Sequence, residues 1–157
     1  MKDEVARIIR EAFAGVTLGD GVGLWWAQVL DDYEIPSSIA DYRANHEQKE
    51  ERLDWSRIPV EDLQRNHDSP SFFDAEGMRF HLPAFMLFEL YGEPTLSVFY
   101  TMYHYENDYG KTQFSLLDKK QRAAVRAFLL YCKDLPDNEF DRPQIERALN
   151  EYWVEEK

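Results

Sequence analysis

The sequence predicts a mainly α protein: a compact helical bundle around a central apolar helix at about residues 83–91, with a small β-hairpin (about 96–104 and 111–115) at its side. Three observations lead there. Apolar residues recur at helical spacing near both ends of the chain. From Ala84 to Tyr91 the one polar residue is Glu89, the pattern of a helix buried on every side. The 157 residues are 44% hydrophobic and include four Trp, nine Tyr and ten Phe, enough for one core and far from the composition of a disordered chain.

The first helix rests on Val5, Ile8, Ile9, Ala12 and Phe13, with Gly15 as its left-handed stop. Four of the seven glycines then fall within "GVTLGDGVG", and a second helix follows with Val22, Trp25, Trp26, Val29 and Tyr33 on one side. Residues 37–54 are dense in charge and read as a solvated, mobile arm on a chain that forms one domain from 1 to 157. Ile58 before Pro59 should be extended, and Pro59 should open a short helix through Leu63 that "NHDSPS" breaks.

Pro83 lacks an amide hydrogen, so the central helix either begins there or is entered through an earlier turn at 74–81. Ser71 with Asp74 resembles a capping box ahead of it. "TLSVFYTMYHY" is rich in β-branched and aromatic residues, which favours a strand, although Leu96, Phe99, Tyr100 and Tyr103 also fit a helical stripe; "ENDYG" reads as a turn and "KTQFS" as the return strand. Two helices close the chain. Asp118 caps the first, whose buried side is Ala124, Val125, Phe128, Leu129, Tyr131 and Cys132. Asp141, with Gln144 and Pro143, starts the second, whose apolar face is Ile145, Ala148, Leu149, Tyr152 and Trp153.

Thirty acidic against eighteen basic residues leave a net charge of -12, a field that repels nucleic acid and anionic membranes and attracts basic partners. No apolar run is long enough to span a bilayer, and the N-terminus lacks a signal-peptide core, so a cytoplasmic protein is expected. Cys132 has no second cysteine to pair with and sits in the apolar "FLLYC".

Two groups of side chains are candidates for function. Asp31, Asp32, Asp74, Glu76, Arg79 and His81 form a candidate polar pocket at the start of the central helix. Carboxylates at a helix start are explained equally well by capping, with Arg79 pairing one of them and His81 a satisfied core residue. Asp31 and Asp32 near a helix C-terminus need a compensating cation. Asp74, Glu76 and His81 could act as metal ligands or as acid and base, but their spacing matches no metal motif such as HExxH. Lys119, Arg122, Arg126 and Lys133 lie along one helix face and form a candidate basic docking face, unless that face meets acidic neighbours. "GDGVG" fits neither GxGxxG nor GxxxxGK[ST], and reads as a flexible loop or a close helix contact. No nucleophile elbow or Cys-His signature is present, so no catalytic residue and no cofactor is assigned.

Three stretches, "SFFDAEGMRFHLPAFM", "FSLLDKKQRAAVRAFLLYC" with "EFDRPQIERALNEYW", and more weakly "LWWAQVLDDYE", resemble a family of small uncharacterised bacterial proteins classed as a domain of unknown function. The resemblance covers the chain from about the glycine loop onward and implies a bacterial, single-domain architecture. It carries no activity. Together the residues point to a non-enzymatic protein-binding module, as an inhibitor or immunity-type partner of a basic protein. The alternative is a small enzyme or ligand- or metal-binding protein built on the carboxylate–His–Arg pocket.

Overall fold

Helical periodicity at the two ends becomes structure where it was expected. The computed structural model describes residues 1–31, 41–42, 46–92, 96–103 and 105–155, with the backbone alone at 31 and 96–98. Its α-helices in chain order are α1 (Lys2–Ala12), α2 (Leu24–Asp31), α3 (Val60–Arg65), α4 (Ala75–Tyr91), α5 (Leu96–Met102), α6 (Asp108–Gln113), α7 (Lys119–Cys132) and α8 (Arg142–Glu151). Short 3-10 turns occur at Glu47–Lys49, Trp55–Arg57, Ser69–Phe72 and Pro136–Asn138. None of these helices is long and apolar enough to cross a membrane.

Helix α1 buries Val5, Ala6 and Ile9 against α4 and α7, and the turn that follows it reaches Gly15, whose φ of +79° suits a residue without Cβ. Helix α7 carries a full capping box between Asp118 and Gln121, and buries Ala124, Val125, Phe128, Leu129 and Cys132, with Tyr131 half-buried. In α8 the expected face is present, but the expected capping box is not: Asp141 makes no cap hydrogen bond and instead accepts one from Tyr103 Oη at 3.2 Å. In α2 the buried residues are Leu24, Trp25 and Ala27, while Trp26 and Val29 are half-buried, so the buried face differs from the phase read in sequence. Tyr33 lies outside the described residues.

Helix α4 is the centre. It runs unbroken through Pro83 from an N-cap at Asp74, so its start precedes the expected 83, and the polar prelude is its first two turns. Ten of its residues are buried, from Gly77 to Phe88. The cap is Asp74 itself; Ser71 belongs to the preceding 3-10 turn and forms no capping box with it.

The expected hairpin is absent, and no strand occurs among the described residues. Residues 96–102 are α5, with Phe99 and Met102 fully buried and Phe99 stacked on Phe128 at 5.7 Å. Burying a Phe side chain is worth about 1.5–3 kcal/mol, more than the ~1 kcal/mol span of strand preference, so the helical stripe prevails. The "turn" 106–110 holds the start of α6, whose N-cap Asn107 accepts from Gly110 N at 2.7 Å. Residue 104 lies outside the described residues.

Candidate functional site

At the head of α4 the polar residues divide into those already bonded and one that is not. Asp74 Oδ1 accepts from Gly77 N at 2.8 Å and from Val22 N at 3.0 Å, so one carboxylate both caps α4 and fastens the glycine loop. That loop is a close helix contact: a Cβ on Gly21 would lie 2.8 Å from Glu76 Cβ and from Gly77 N. Glu76 is half-buried beside it. His81 is buried, its ring stacked on Phe73 at 4.4 Å and edge-on to Phe80, with Nδ1 2.7 Å from Gly77 O. Loss of solvation brings its pKa down to about 4, so the ring is neutral at pH 7 and Nδ1–H donates to that carbonyl. A histidine held this way has the surroundings of a core residue.

Arg79 does not pair with Asp74 or Glu76, as the sequence had suggested. It makes no hydrogen bond or ion pair among the described residues, and its Nε is buried without a partner. It lines a cleft of about 390 Å³ with the Ala14–Thr17 turn, Leu116, Asp118 and Gln121. Asp31 closes α2, while its side chain and all of Asp32 lie outside the described residues. Asp74, Arg79 and His81 therefore face three different surroundings on one helix.

Sequence reasoning missed Glu50. Within the stretch expected to be a solvated arm, Tyr42 and Glu50 are buried, at 8% and 9% exposure, and Leu18 N donates to Arg52 O at 2.9 Å. Glu50 accepts from Trp25 N at 2.7 Å and from Tyr42 Oη at 3.2 Å, serving as a remote cap for the start of α2. Loss of solvation raises its pKa, opposed by these hydrogen bonds. No local pattern in "HEQKEER" distinguishes this glutamate; the nearest signal is the helix at 24 without a Ser, Thr, Asp or Asn cap immediately before it.

The basic stripe on α7 is turned onto α8. Arg122 Nη2 donates to Tyr152 O at 2.9 Å and its guanidinium lies over the Tyr152 and Trp153 rings. Arg126 Nη1 donates to Leu149 O at 3.2 Å and to Trp153 O at 2.7 Å. These are carbonyls at and just beyond the C-terminus of α8, where cations are favoured. Lys133 Nζ sits 3.2 Å from Asp134 and 3.9 Å from Glu146. None of the four basic residues is without a partner.

A second concentration of side chains lies across α5, the start of α6 and α8. Tyr103 and Tyr105 line a polar cleft of about 480 Å³ with Glu106, Asn107, Gln144 and Arg147. Tyr105 Oη donates to Glu151 at 2.5 Å, and Arg147 pairs with Glu106 and Glu151. The neighbouring cleft is lined by Tyr100 and Tyr109, each about half exposed. Tyr103 packs edge-on to Tyr100 at 6.2 Å and reaches Asp141, next to Phe140, which is 88% exposed. Local signals in the sequence could not assemble this face, because the segment reads there as a hairpin. Cys132, by contrast, is buried, and burial raises its thiol pKa.

No curated protein and no solved structure matches the chain. A family model does, over residues 1–157. The chain belongs to a family of unknown function, DUF6714.

Proposed function

We propose that the chain is a non-enzymatic protein-binding module of the bacterial cytoplasm, and that its tyrosine-rich, acidic face takes a basic protein in the manner of an inhibitor or immunity-type partner. The observation that carries this reading is Phe140, an aromatic ring 88% exposed, whose chain neighbour Asp141 is held by the Tyr103 hydroxyl. Aromatic side chains are effective interface anchors, because each offers a large, rigid surface at low entropic cost. The segments that carry these aromatics also carry the exposed Glu106, Asp108, Asp137 and Glu139 and the half-buried Asp141, against Arg147 and Lys111. That local excess has the same sign as the whole chain's -12, so a basic partner is steered toward the face.

The test is capture from lysate of the native organism by the purified chain and by Phe140→Asp, at low and moderate salt, with mass spectrometry of what is retained. The reading expects one stoichiometric basic protein, lost with the variant and weakened by salt. Retention of nothing at low salt, or equal retention by the variant, refutes it.

A further inference from the structure

The cleft around Arg79 is separate from the tyrosine face and offers a different chemistry. Arg79 projects from α4 with no partner among the described residues, although its Nε is buried. Asp118 lines the same cleft, yet forms no ion pair with Arg79; one of its oxygens, Oδ1, accepts the Gln121 amide at 2.8 Å. A cation and an anion thus face one space of about 390 Å³ without meeting. Leaving a buried donor unbonded is unfavourable, which is what makes an outside acceptor effective there.

We propose that this cleft is a binding site for a zwitterion of the α-amino-acid type, with the carboxylate on the Arg79 guanidinium and the ammonium on Asp118. Guanidinium matches a carboxylate through two parallel hydrogen bonds. The Ala14–Thr17 wall follows directly on the C-terminus of α1, and the negative end of that helix dipole offsets the positive N-terminus of α7 that Asp118 caps. A phosphate dianion fits worse, since the Asp118 carboxylate shares the cleft and repels it. The lining is otherwise mainly polar, and Val16 with the 42%-exposed Leu116 gives it one apolar edge, against which a small aliphatic side chain of the ligand would lie.

The experiment is thermal unfolding of the full chain with L-leucine, leucine methyl ester, N-acetyl-leucine and acetate, repeated on Arg79→Gln, Arg79→Lys and Asp118→Asn. Leucine at about a hundredfold above its Kd raises Tm by on the order of 5 °C. The ester and the N-acetyl compound, each lacking one charge, give a much smaller shift. Arg79→Gln abolishes the leucine shift, Arg79→Lys weakens binding about tenfold by removing the planar fork, and Asp118→Asn keeps the helix cap while weakening binding. Both Arg79 variants retain the native circular dichroism, since no fold contact of the guanidinium is removed. No shift with 10-millimolar-scale leucine, or a leucine shift that persists in Arg79→Gln, overturns the proposal. An equal shift with acetate overturns the zwitterion and leaves a plain anion site.

Discussion

Arg126 on α7 and Arg79 on α4 are both half-buried arginines, and the sequence singles out both, yet they end in opposite situations. Arg126 binds two carbonyls at the end of α8, at 3.2 and 2.7 Å; Arg79 binds none. Helical spacing tells which residues share a face. It does not tell what that face meets. The regular stripe of Lys119, Arg122, Arg126 and Lys133 reads as a docking face in sequence, but in the fold its arginines bond the end of another helix. The isolated Arg79, expected to pair with a carboxylate one turn away, is the one left without a partner among the described residues. A polar group already used by the fold is a question of stability, whereas an unused one is available to a ligand.

That contrast can be strained in several ways. The largest effect expected is at His81, a polar group fully enclosed by the fold. Its folded-state pKa of about 4 lies below the ordinary 6.5, so as pH falls the unfolded chain takes up the proton first. Stability present above pH 6.5 is therefore lost as pH drops toward about 4, by on the order of 3 kcal/mol. Urea unfolding of the wild type and His81→Phe across that range measures it, and the difference between the two curves should change with this sign. A flat difference would mean that His81 is not enclosed.

Next comes Arg126→Ala, which strands the Leu149 and Trp153 carbonyls and should cost about 2–3 kcal/mol in the same assay. Asp74→Ala removes a cap and the tie to Val22 N, with an expected loss of about 2 kcal/mol, while Asp74→Asn loses much less. Arg79→Gln is the counterpart: it takes away a guanidinium whose Nε is buried and unbonded, so stability stays within about 0.5 kcal/mol or rises by up to ~1 kcal/mol. If Arg79→Gln costs as much as Arg126→Ala, the distinction between used and unused arginines fails.

How much of this was legible beforehand varies by region. Asp118 formed the cap expected of it, and Gln121 completes a capping box, because the two groups meet within one helical turn. The glycine loop read as either a flexible loop or a close helix contact, and its fastening by Asp74, 52 residues on, which makes it the latter, was not legible. The 96–104 segment misled, since its β-branched and aromatic composition suits a strand while its burial, set by the stack on Phe128, requires a helix. Glu50 was illegible: a carboxylate in a charged run has no mark of burial until Trp25 and Tyr42 are brought to it.

The sequence by itself determined α1, α7 and α8, the apolar centre of α4 and the mainly α class, because each depends on periodicity and capping between residues three or four apart. Tertiary structure alone decided that α5 is a helix, that Glu50 caps α2, that the α7 arginines bind α8, and that Arg79 and Asp118 face one cleft unpaired. Those outcomes are set by groups tens of residues apart, whose meeting is driven by burial of the core, and no local pattern encodes which polar atoms that burial leaves without a partner.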